Sequence, residues 1–218
     1  MKRYKYIKSN AFTTRASLGN PAACVFTGQE SLSPKQMQAV AREHKGFVME
    51  VVFCGQSEVA DCKLTYYSSE CEVDFCGHGT IATMYSMIKD NAALRSKSVV
   101  KVETNRKGIV EVFNAIDTED AVYITAPDPI EHPVNLTVEA IRRVFAPKFG
   151  YLEDPATGSG NSAFANYLLS ENLWNGAPIT IEQGGNDRIF NSVKVKYSDG
   201  QVLFGGKSTI RIEGDYLI

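Results

Sequence analysis

Two segments about eighty residues apart, 72–80 (EVDFCGHGT) and 153–161 (EDPATGSGN), are built on one plan. Each sets an acidic residue ahead of a small-residue turn, Cys76-Gly77-His78-Gly79 in the first and Thr157-Gly158-Ser159-Gly160 in the second. An apolar run of helical period follows each: Ile81, Ala82, Met84, Tyr85, Met87 and Ile88, then Ala163, Phe164, Tyr167, Leu168 and Leu169. Small residues at a helix start let the backbone approach a ligand, and the unpaired amides with the positive dipole end favour an anion there. Two such starts in one chain point to two halves of an anion-binding, catalytic cleft.

The titratable residues near these turns suggest proton chemistry. His78 is one of three histidines and has a glycine on either side, which clears bulk around one polar ring; helix capping is the plainer explanation. Glu153 and Asp154 precede Pro155, and Asp-Pro is a common turn opener, but the small polar run that follows argues for a site. Glu50 interrupts the apolar run 47–54 (FVMEVVFC). There a charge either points to solvent from a strand or sits in a cleft with the raised pKa that an acid/base needs. Cys76 precedes a helix start that would lower its pKa, as in a racemase with paired thiols. The equivalent position in the second turn is Thr157, so the partner thiol is lacking, and Cys76 reads as a small packing residue.

Positioning these groups requires a mixed architecture. Strands are expected over 4–7, 50–54, 62–67, 98–104, 108–113 and 121–125, and again over 179–182, 193–197, 201–204 and 208–213. The turn 19–23 (GNPAA) leads into a further strand. Helices are expected from the Ser33 cap and Pro34, over 137–144, and after each glycine-rich turn. Apolar helices among short strands indicate α+β lobes with a curved, mostly antiparallel sheet wrapped around a central helix. Residues 1–115 and 116–218 are read as two pseudo-repeated lobes with their glycine-rich turns facing each other.

Composition narrows the alternatives. With 218 residues, 44% hydrophobic and 22% charged, the chain can bury one sizeable core and is not disordered. A net charge of −2 gives no basic surplus for nucleic acid or an anionic membrane, and no apolar run spans a bilayer. Five cysteines without CxxC spacing imply neither a disulfide framework nor a zinc site, so a reduced, cytoplasmic protein without metal is expected.

Residues 74–79 (DFCGHG) and 153–159 (EDPATGS) resemble the two signatures of the phenazine-biosynthesis PhzF-like isomerase/epimerase family, which shares the diaminopimelate epimerase fold with proline racemases. The turn 19–23 and the strand ending in Gly205-Gly206 are similar to that family's N-terminal turn and tail, so the likeness runs from about residue 6 to 214. The resemblance implies a cofactor-independent, metal-free isomerase acting on a small carboxylate-bearing substrate. Glu50 matches the family's proton-shuttling glutamate, although Met49 and Val51 flank it where the usual pattern is Ser-Glu-Thr. His78, Asp154 and Ser159 match polar residues that orient the substrate and assist proton transfer. Backbone amides around Gly77, His78, Gly158 and Ser159, with Gly79 and Asn20 beside them, would hold the substrate carboxylate.

One departure stands out. The expected helix 137–144 runs directly into residues 145–150 (FAPKFG), which in relatives follow several further strands. The second lobe is thus expected to be shortened, with fewer strands than the first, a terminal strand that crosses into the first lobe, and a homodimer as one way to complete the cleft. The rival reading is a catalytically silent binding or assembly protein of the same fold. A cysteine-dependent racemase is a third, which predicts inactivation on alkylation of Cys76.

Overall fold

A computed structural model describes residues 1–127, 144–145, 147–150, 153–186 and 189–218. Its frame is a single mixed sheet. Strands β1 (Arg3–Ala11), β2 (Asn20–Gly28), β3 (Glu50–Gly55), β4 (Cys62–Ser68), β6 (Val99–Thr104), β7 (Gly108–Ala115) and β8 (Ala121–Thr125) come from the first part of the chain. β11 (Ile179–Asn186), β12 (Ile189–Ser198), β13 (Gln201–Gly206) and β14 (Ser208–Leu217) close it. They follow the order β11-β12-β13-β8-β7-β6-β4-β3-β2-β1-β14, with β5 (Glu72–Val73) pairing off this path to β4. A separate pair joins β9 (Val144–Phe145) to β10 (Glu153–Asp154). Most neighbours are antiparallel; β2 with β3 and β4 with β6 are parallel.

Helix α1 (Pro34–Glu43) starts as its sequence indicates. Ser33 accepts from the Gln36 amide, and the Gln36 side chain accepts from the Ser33 amide, a reciprocal capping box. Short helices α3 (Ala92–Arg95) and α4 (Ile116–Glu119) are connectors. The two helices that follow the glycine-rich turns are α2 (Gly77–Asp90) and α5 (Gly158–Ser170). In α2, eleven of fourteen residues are buried, because β1, β2, β3, β8 and β14 wrap it. A helix apolar all round is a core helix, and here it is the centre of the main core. α5 packs on β12 and β13, and among the described residues five of its thirteen are buried.

β3 is covered on both faces. Val52 and Cys54 face α2 in the main core, whereas Val51 and Phe53 join Val40 and Ala41 of α1 in a second cluster. That double burial explains why its sequence reads as an apolar run rather than an alternation. Glu50 shares the parity of Val52 and Cys54 and therefore points toward α2.

The α+β architecture agrees with the expected fold. The halves are joined in one hydrogen-bonded sheet through β8, which pairs with β7 on one side and β13 on the other. β14 leaves the second half to pair along the whole of β1. Divided at residue 115, the described strands number seven and seven, so no shortage shows in the count. Yet β9 and β10 have two residues each and β14 lies beside β1, while β12 and β13 are the strands that pack on α5. The expected helix over 137–144 lies outside the described residues, apart from Val144, which begins β9. No described helix is long and apolar enough to cross a membrane.

Candidate active site

The first residue of β3 and the second residue of α2 form the centre of the candidate site. Glu50 lies level with Ala22 of β2 and Ser68 of β4, and its carboxylate Oε2 lies 3.1 Å from Nε2 of His78. The two side chains are 3% and 6% exposed, so this is an interior acid–imidazole contact rather than a surface ion pair. Cys76, the α2 cap, is the third member. Its Sγ lies 3.6 Å and 3.8 Å from the two ring nitrogens of His78 and accepts from the Gly79 amide at 3.3 Å.

The second half supplies Asp154, at the end of β10 and 8% exposed. Its carboxyl interacts electrostatically with both His78 and Glu50. Asn20, at the start of β2, fastens it there. The Asn20 amide nitrogen donates to Asp154 Oδ1 at 2.5 Å and to the Ala156 carbonyl at 2.8 Å. Asn191 adds a second tie across the halves, accepting from the Gly19 amide and donating to the Pro155 carbonyl.

The two turns correspond in detail. Thr157 caps α5 as Cys76 caps α2, its hydroxyl accepting from the Gly160 amide at 3.2 Å. One ring, Phe204 of β13, fills the space against both helix starts: a Cβ on Gly77 would lie 3.0 Å from it and one on Gly158 only 2.0 Å. These glycines are therefore required by close approach of a buried ring, in addition to any ligand. Behind the second turn, Gln183 Oε1 accepts from the Thr157 amide and from Asn161 Nδ2, which fixes the entry of the chain into α5.

The charge states follow from the surroundings. Burial alone would lower His78, but the adjacent Cys76 and Glu50 outweigh it and hold the imidazole well above its ordinary range. Burial first, and Glu50 second, push the Cys76 thiol up to about 11. A thiol at that value is uncharged at neutral pH. The helix start does not activate the sulfur, and a thiolate base is disfavoured.

Burial also holds the Asp154 carboxyl above its usual value, with Glu50 adding to the effect and His78 opposing it. Such a carboxyl stabilises the fold fully below its unfolded value of 3.8, and that contribution is lost as pH rises through the raised folded value. Asp154→Asn keeps the shape and an oxygen for Asn20 while removing the ionisation. It is expected to melt above the parent at about pH 7, by roughly 2–4 °C for each kcal/mol recovered, with the gap closing toward about pH 4. Thermal melts across that range check this; a gap that persists undiminished at low pH would contradict it.

Of the residues singled out from sequence, Glu50, His78 and Asp154 come together, with Gly77, Gly158 and Asn20 around them. Ser159 does not join them: its side chain is exposed and lines an adjoining cavity of about 420 Å³ with Phe75, Lys107, Lys148 and Phe149. The Gly79 amide is taken by Cys76, and the Asn20 nitrogen by the second half, so neither group faces outward for a substrate. On the other flank, a depression of about 700 Å³ is lined by Gly19, Pro21, Met49, Glu153 and Pro155. Neither cavity is lined by Glu50, His78 or Asp154, and all three side chains are buried. Sequence reasoning missed Phe204, Gln183 and Asn191; the only signal was that Phe204 and Gln183 each precede a Gly-Gly pair.

The family model described as phenazine biosynthesis-like protein (PhzC-PhzF) matches residues 9–142 and 132–214. The chain belongs to this family. The two matched pieces overlap at 132–142, next to the place where the sequence indicates a missing block. The uncharacterized isomerase YfhB of Bacillus subtilis is 34% identical over 112 residues, which is 51% of this chain and 36% of that protein. An uncharacterized isomerase of Clostridium acetobutylicum is 23% identical over 247 residues, covering 79% of this chain and 82% of that protein. That alignment is longer than the 218 residues available here, so the Clostridium protein carries residues that this member of the family lacks. The PhzF-family protein of Bacillus anthracis has the same fold, with a TM-score of 0.78, 20% identity and full coverage of both chains. Family and relatives make this chain an isomerase by class.

Proposed function

We propose that this PhzF-family chain is a cofactor-independent isomerase or epimerase that moves a proton on a small carboxylate-bearing substrate. The observation that carries the reading is the buried Glu50–His78 contact facing Asp154 of the other half, between two helix starts. Glu50 takes the proton from substrate carbon and returns it at a second position or on the opposite face. His78, held protonated, donates to charge that develops during transfer, and Asp154 supplies or receives a proton from the opposite side. The amides of Gly77 and Gly158 bind the substrate carboxylate, and Ser159 meets the substrate from the adjoining cavity. The five free cysteines agree with a reducing, cytoplasmic setting, and a homodimer would complete the cleft.

The burial of Glu50, His78 and Asp154 favours a second reading, a binding or assembly protein on the same fold. Under the first reading the halves part to admit substrate; under the second they do not. Amino acids and cyclic or dienyl carboxylates incubated with the protein in deuterated buffer separate the two. Exchange of a carbon-bound proton, read by mass spectrometry, is expected for at least one class. Absence of exchange across the panel would leave the binding reading.

A further inference from the structure

We propose that Glu50, Cys76 and His78 form a tridentate site for a borderline-soft divalent cation such as Zn²⁺, and that the ion occupies the acid/base centre and blocks it. Three different donor types converge: a carboxylate oxygen, a sulfur and an imidazole nitrogen, all within 4.8 Å of one another and all buried. Ligand atoms about 2.0–2.3 Å from a tetrahedral zinc ion lie roughly 3.3–3.6 Å apart. The observed separations bracket that range, 3.1 Å from His78 Nε2 to Glu50 Oε2 and 3.8 Å from the same nitrogen to Cys76 Sγ. Shifts of a few tenths of an ångström would seat the ion.

The donor set also selects the metal. Calcium and magnesium take oxygen ligands, whereas one sulfur, one nitrogen and one oxygen suit zinc or cobalt. Cys76 and His78 are separated by one residue at a helix start, and β3 presents Glu50 to both, so two elements of backbone, the capped start of α2 and the start of β3, fix the ligands without a loop closing. Asp154 is held by Asn20 and the Ala156 amide, which leaves the fourth position to water or a substrate oxygen. Binding exchanges the thiol proton and the imidazolium proton for the cation, and both protons pass to solvent. Entry uses the same parting of the halves that a substrate needs.

Metal binding itself does not depend on the isomerase reading; only the inhibition does. The test is titration of the reduced, intact protein with Co²⁺, with Zn²⁺ in competition. About one equivalent of Co²⁺ is expected to bind with thiolate-to-cobalt charge-transfer absorption, and Zn²⁺ is expected to displace it. Cys76→Ser should lose that absorption, and Glu50→Gln should weaken Co²⁺ binding more than tenfold. Cys71→Ser, at a half-buried thiol outside the cluster, should change neither. Circular dichroism verifies the fold of each variant, and if Cys76→Ser does not fold, Glu50→Gln and His78→Gln decide the matter. Absence of the charge-transfer band in the parent overturns the site. So does a band that survives in Cys76→Ser, or one lost instead in Cys54→Ser, which would place the metal among Cys24, Cys54 and Cys62. With an exchange-active substrate in hand, Zn²⁺ should abolish exchange at the concentrations that displace cobalt. Full exchange at saturating Zn²⁺ overturns the inhibitory role while leaving the isomerase reading intact.

Discussion

Glu50→Gln is expected to lower proton exchange on the substrate by about 10²–10⁴-fold, the range typical of a positioned acid/base, while the protein stays folded. The substitution preserves volume and one oxygen, so the packing of Ala22 and Ser68 on either side of residue 50 is undisturbed. What it removes is the carboxyl able to accept a proton at that position, together with one of the two neighbours that raise the His78 imidazole. The imidazole should therefore titrate at a lower pH in the variant, an effect visible by NMR even without a substrate. Normal exchange in a folded Glu50→Gln protein would remove Glu50 from the chemistry. A lost exchange with an unmoved His78 titration would instead sever the link between the two side chains that the 3.1 Å contact implies.

Gly158→Ala should be the most damaging single-atom change at the helix starts. On helix propensity alone, alanine in place of glycine gains up to about 1 kcal/mol. Here the added Cβ would lie 2.0 Å from the Phe204 ring, and Phe204 is fully buried with nowhere to turn. Overpacking of that kind costs about 1–3 kcal/mol or more, enough to reverse the sign. Gly77→Ala meets the same ring at 3.0 Å and should cost less. Urea denaturation gives the comparison, with midpoints ordered parent, Gly77→Ala, Gly158→Ala from most to least stable. Adding Phe204→Leu should recover part of the Gly158→Ala loss, because the clash is with the ring. A Gly158→Ala protein as stable as the parent would mean that the turns do not meet across Phe204.

The shared plan of the two turns therefore has a structural cause as well as a chemical one. Each cap, Cys76 and Thr157, accepts from the amide three residues on, and each following glycine rests on one ring. That correspondence exists although the second cap is a hydroxyl. The mismatch that removes a two-thiol racemase leaves capping intact, since sulfur and oxygen can both accept from an amide.

Local order was largely legible from the chain. The Ser33-Pro34 start, the strands around β3 and β4, the hairpin strands β6 to β8 and both signature helices lie where capping, β-propensity and helical period put them. Those are short-range properties of neighbouring residues. From the run of residues alone Glu50 was legible as an anomaly, a charge in an apolar stretch with solvent and cleft equally open; only the family resemblance singled it out as the acid/base. Strand parity decided it: sharing a face with Val52 and Cys54, it had to point at α2.

What the sequence by itself determined was the inventory: two glycine-rich helix starts, the acids and the histidine beside them, and an α+β chain of a recognisable family. Only the tertiary structure decided which of these meet. Asn20 reaches Asp154 across 134 residues of chain, Phe204 sits between turns that lie far from it in sequence, and Ser159 turns away from the cluster despite its signature position. Such contacts depend on sheet order and register, and those are set by long-range pairing that no local pattern encodes. The burial of Glu50, His78 and Asp154 belongs to the same level, because burial is a property of everything packed around a residue and not of the residue itself.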